Sequence, residues 1–125
     1  RATAGRSRFD ETYRVVEDVD FLFRVLLAEY TIGLQREPLV RYRKHGAQAV
    51  DDDTAIQEGT IRVLEQYAEH AGDARLHAYQ IARRKAKLLV RAGRLVDARP
   101  HLRTWLRTRF SSRALRWYLA SFFRG

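Results

Sequence analysis

From residue 54 onward, apolar side chains recur every three or four positions, the spacing of a helix with one buried face. Ile56, Ile61, Val63, Leu64 and Tyr67 predict a helix over 54–70, ended by Gly72. Leu76, Tyr79, Ile81, Ala82, Ala86, Leu89 and Val90 predict a second, capped by Asp73, running to about Arg91 and stopped at Gly93. A third covers about 95–109, where Pro100 must kink it or mark its first turn. Ser111 or Ser112 can cap a fourth that extends through Phe123. Before residue 54 the pattern differs. Residues 17 to about 30 read as a helix whose apolar positions cover most of its circumference, so burial on more than one side is expected. Thr31-Ile32-Gly33-Leu34 suits a short strand, and 38–43 alternates enough for another, with Pro38 at its start. Gly46 and Asp51-Asp52-Asp53 read as a linker. The expectation is a small α/β piece over 1–50 and an all-α helical extension of about four helices over 51–125, mostly α overall.

Composition narrows the classes. The absence of cysteine excludes disulfides, thiolate metal sites and a cysteine nucleophile, and fits a reducing compartment. No run of about 20 apolar residues is present, so no spanning helix is expected, and RATAGRSRFD lacks the apolar stretch of a signal peptide. There is no methionine, even at position 1, which suggests a piece of a longer protein. The net charge of +9 is unevenly placed: +2 over 1–50, −5 over 51–72 and +12 over 73–125. LLVRAGRLVDARPHL, residues 88–102, resembles a tetratricopeptide-type helix junction, although no period of self-similarity runs along the chain.

The segment VVEDVDFLFRVL, residues 15–26, raises the main chemical question, because Glu17, Asp18 and Asp20 crowd the head of an otherwise apolar helix. Acidic residues in a first helical turn are common and stabilise by roughly 0.3–1 kcal/mol each. Three carboxylates within four positions also repel one another, which demands a nearby cation or donor and suits a general base or a metal-facing site. Spacing alone leaves both readings open.

The surrounding order adds a resemblance. Phe9-Asp10-Glu11, Glu17-Asp18-x-Asp20, Arg24, Glu37-Pro38-Leu39-Val40 and Tyr42-Arg43-x-His45 together resemble the C-terminal half of the catalytic domain of family 2 glycosyltransferases, over about residues 5–47. The resemblance implies a GT-A fold, so that 1–50 would be the C-terminal part of an α/β catalytic domain. It implies an inverting transfer from a nucleotide-sugar donor to a glycan or lipid-linked acceptor, as in cell-surface polysaccharide synthesis. Asp18 would be the catalytic base, Glu17 its companion, and Asp20 and Arg43 substrate-binding. His45 would reach a divalent cation, Mn2+ or Mg2+, held mostly by an upstream nucleotide-binding half with an Asp-x-Asp motif. That half is not among these 125 residues, so the chain by itself is expected to be inactive. Where such relatives often have glycine before the Phe-Asp-Glu element, this chain has Ser7-Arg8.

The tail, residues 101–125, interleaves Arg103, Arg107, Arg109, Arg113, Arg116 and Arg124 with Trp105, Phe110, Trp117, Tyr118, Phe122 and Phe123. A helical pair with inward aromatics and solvated arginines accounts for this pattern. So does a basic helix lying on an anionic membrane surface, which would place the chain in the cytoplasm, peripheral at the inner face of the membrane. The alternative function is then a non-catalytic basic module that binds such a surface or a protein partner. Nucleic acid is not the expected partner, since no recognition signature accompanies the basic residues.

Overall fold

The computed structural model describes residues 8–13, 15–41 and 53–123. Among them all regular structure is helical: α1 (Glu17–Leu27), α2 (Asp53–Gln66), a 3-10 turn (Ala68–His70), α3 (Ala74–Arg91), α4 (Leu95–Thr108) and α5 (Ser112–Ala120). Contacts divide the chain into two compact units, Arg1–Gly59 and Thr60–Gly125. No helix among the described residues is long and apolar enough to cross a membrane.

This corrects the expected α/β architecture. Residues 28–41 contain no strand, and residues 31–41 are exposed throughout. The reason lies in what a strand needs. Its backbone N–H and C=O groups must pair with a neighbouring strand, and neither apolar segment finds one among the described residues. Thr31-Ile32-Gly33-Leu34 and 38–41 therefore leave their backbone to water, with Leu34, Leu39 and Val40 fully exposed in kind. The GT-A assignment of 1–50 fails on the same finding. Residues 42–43 of the second expected strand lie outside the described residues, as do Gly46, Asp51 and Asp52 of the expected linker; Asp53 opens α2. The expected helix over 54–70 is broken after Gln66, its end tightening into the 3-10 turn.

The second unit is built on one stripe. In α4, Leu95, Ala98, Leu102 and Trp105 are buried at positions i, i+3, i+7 and i+10. Ala98, Leu102 and Trp105 meet Tyr79 and Ala86 of α3 and Ala114 of α5. Ala86, Ala98 and Ala114 have no exposed surface, and side chains this small let three helix backbones approach closely. Trp105 and Trp117 meet edge to face, ring centres 6.3 Å apart.

Local chemistry sets the helix ends. Asp73 accepts the Leu76 N–H at 2.9 Å, a cap contributing about 1 kcal/mol. α3 ends at Gly93, whose φ of +75° is costly for any residue with a Cβ. The turn closes with the Arg94 N–H bonded to the Leu89 carbonyl and the Gly93 N–H to that of Val90, the paired bonds that reverse the chain. α3 and α4 thus form a hairpin, clasped at its open end by the Arg75 guanidinium on the Arg107 carbonyl at 2.8 Å. Pro100 does not start α4; it sits one and a half turns in, on an exposed face. Ser111 caps α5 through the Ala114 N–H. At its far end Arg99 donates to the Ser121 hydroxyl at 3.0 Å and to the Ser121 carbonyl, lying 4.5 Å from the Phe122 ring.

Candidate functional site

The acidic head of α1 has three carboxylates in three different environments. Asp20 is buried, 1% exposed, and its Oδ2 accepts Arg24 Nε at 2.9 Å and Nη2 at 2.8 Å from one turn along the helix. Glu17 is half-buried, and Asp18 is exposed. The helix turns these neighbours about 100° apart per residue, so one cluster in sequence becomes an inward group and an outward group in space. The outward Asp18 spends one oxygen, Oδ1, on the Val19 N–H at 2.8 Å. Its other oxygen has no partner among the described residues.

The Phe-Asp-Glu element is brought to the same helix. Phe9 packs on Phe21 with ring centres 4.9 Å apart, and Arg24 Nη2 donates to the Arg8 carbonyl at 2.8 Å. Asp10 shapes the turn between them: its side chain accepts the Thr12 N–H at 2.9 Å, and its carbonyl accepts that of Tyr13 at 3.1 Å. Arg24 thus ties the buried carboxylate to the chain entering the helix. The other parts of the motif are not gathered here. Glu37 is bonded by Gln35 on an exposed stretch, and Arg43 and His45 lie outside the described residues.

Two features of this head carry no sequence signal. Val16, the residue before α1, has φ +64°, a strained left-handed conformation for a β-branched side chain. Gly59 makes room for it, since a Cβ there would meet Val16 Cγ2 at 2.7 Å and the Val15 carbonyl at 3.3 Å. The apolar side of α1 also departs from expectation. Leu22, Leu26 and Leu27 are 42–52% exposed, and Asp20 is its buried residue. The side chains that would cover those leucines are not supplied by the described part of this unit.

Among the described residues no group of three His, Asp or Glu side chains is arranged to hold a metal ion. The expected Mn2+ or Mg2+ ligand of this chain, His45, lies outside the described residues, and no chemical step here is assigned to a cation.

In the second unit, His101 on α4 titrates below the usual imidazole value of 6.5, mainly because burial disfavours its charged form and further because Lys85 is near. Lys85 itself pairs with Glu65 at 2.6 Å. With the folded pKa depressed, the unfolded chain takes the proton first, so stability is flat above about pH 6.5 and falls as pH drops below it. Replacing His101 with Gln should flatten that acid limb, measured as urea midpoints between about pH 7.5 and 5.5. Parallel slopes for the two proteins would refute the assignment.

Compared with known proteins, the chain matches no family model, no curated protein and no solved structure.

Proposed function

We propose that this chain supplies the acceptor side of an inverting glycosyltransferase, with Asp18 as the base. The observation that carries the reading is the division of labour in the first turn of α1: Asp20 is buried on Arg24, while Asp18 faces outward with one carboxylate oxygen unused among the described residues. The order of the motif in which that pair stands supports it further. The reading needs no sheet among the described residues. Asp18 Oδ2 would take the proton of an acceptor hydroxyl as that oxygen forms its bond to the anomeric carbon. The bond to the nucleoside diphosphate breaks, its electron pair leaving with the phosphate, and the configuration inverts. Asp20 and Arg24 position the helix head, and Glu17 flanks the base.

The test uses the protein that carries this chain, with nucleoside diphosphate release followed across a panel of nucleotide sugars. Asp18→Asn should lower turnover by about 10²-fold or more, the contribution of a positioned base, while donor affinity stays within about twofold. Near-normal turnover would remove Asp18 from the role.

A second reading, a basic helical module on the anionic inner face of a membrane, is favoured by one observation. Leu115, Leu119, Phe122 and Phe123 are exposed along one side of α5 and its end, with Arg113 and Arg116 exposed beside them. Phe122→Ser with Phe123→Ser should lower binding to phosphatidylglycerol vesicles by about tenfold or more in a sedimentation assay. Unchanged binding would reject this surface as an anchor.

A further inference from the structure

We propose that the open cleft between α3 and the α4–α5 turn is a binding site for a phosphate or diphosphate group. Its volume is about 540 Å3, and Arg83, Trp105, Arg109, Ser111 and Ser112 line it, with Phe110 at the lip. This inference stands on the second unit alone and does not depend on the role of Asp18.

Charge selects the ligand. Arg83 comes from the middle of α3 and Arg109 from the C-terminal end of α4, and neither guanidinium has a carboxylate partner among the described residues. Arg83 is half-buried and lies 5.9 Å from the centre of the Trp105 ring, which holds a flexible side chain in one place. Its positive field is felt next door: Arg84 is pushed below its usual value first by burial and then by the charge of Arg83. Two uncompensated cations in one concavity cost free energy through their repulsion, and an anion between them removes that cost.

Shape and donors narrow it further. Guanidinium forks donate in pairs and suit the several oxygens of a phosphate. Ser112 is exposed with a hydroxyl that no described residue engages, and Ser111, whose oxygen receives the Ala114 N–H, still has its own O–H to donate. The free N–H groups of the first turn of α5 face the same end of the helix and add to a site the arginines define. Trp105 is 5% exposed, with Arg83 over its ring, so a base or sugar has no open aromatic face to stack on. The recognised part is the phosphate. Its source is either a soluble phosphoester or a lipid headgroup, for which Phe110, 76% exposed, would be the contact with the bilayer.

The whole chain is titrated with inorganic pyrophosphate at low ionic strength and followed by amide and indole NMR shifts. Saturable shifts are expected at Arg83, Arg109, Ser111, Ser112 and the Trp105 indole N–H. Arg109→Gln, at an exposed helix end, should weaken binding about tenfold or more. Arg103→Gln removes the same charge from an exposed position outside the cleft and should change it less than twofold. Absence of saturation, or equal weakening by the two variants, would overturn the site. Phosphatidylglycerol vesicles distinguish the source. Selective loss of vesicle binding in Arg109→Gln assigns a lipid headgroup. Equal vesicle binding by the two variants, with pyrophosphate binding still selective, assigns a soluble phosphoester.

Discussion

Leu102→Ala should destabilise the second unit by about 2–5 kcal/mol, the range for truncating a fully buried leucine. Leu102 has no exposed surface and is the largest such side chain among the described residues. It sits between Ala98 and Trp105 on the α4 stripe, in a layer shared with Tyr79, Ala86 and Ala114. The alanines of this layer have no rotamer with which to fill a void, so part of the cavity should persist and add to the lost burial. Against a total stability of about 5–15 kcal/mol for a domain of ordinary size, this is a large share. The chain has two tryptophans, Trp105 and Trp117, and both belong to this layer, so their fluorescence reports its unfolding directly. The urea midpoint should fall with the slope unchanged. A loss below about 1 kcal/mol would mean that α4 does not organise the unit. Phe123→Ala, at a position 86% exposed, should stay within about 0.5 kcal/mol.

The second large effect is expected at Arg24. Both of its contacts to Asp20 fall on one buried oxygen, Oδ2. Arg24→Met keeps the apolar stem of the side chain and removes the charged head, leaving the carboxylate 1% exposed without its guanidinium. Breaking a buried pair from one side costs about 3–5 kcal/mol, and the lower end applies because the Arg24 side chain is itself 34% exposed. Arg8 would lose its tie to α1 in the same change. Hydrogen exchange at the α1 amides should show the loss, and adding Asp20→Asn to Arg24→Met should restore part of it. Asp18→Asn should behave in the opposite way, changing stability by less than about 1 kcal/mol while removing activity. If Arg24→Met left exchange in α1 unchanged, the positioning role of the pair would fall.

The candidate site was legible in sequence only as a cluster. Glu17, Asp18 and Asp20 are adjacent in the chain, and the helical reading placed them correctly in a first turn. Which of them faces inward depends on the rotation of α1 against what packs on it, a fact of tertiary contact. The phosphate cleft had no signal at all. Arg83 and Arg109 are remote in sequence, and only the α3–α4 hairpin and the turn into α5 bring them to one cavity.

By itself the sequence determined that a run of helices follows residue 53, with a cap at Asp73, a serine cap at 111 or 112, of which the structure uses Ser111, and a glycine reversal at Gly93. Each of these follows from local rules: helical spacing, a side-chain oxygen within reach of a backbone N–H, a residue free to take positive φ. Tertiary structure decided the rest. Residues 31–34 and 38–41 have the composition of strands, yet pairing is a property of two segments, and neither finds a partner among the described residues. The leucines of α1 have the composition of a buried helix, yet remain half exposed, because burial also requires another surface. Local energies choose how a segment coils; only long-range contacts choose what it faces.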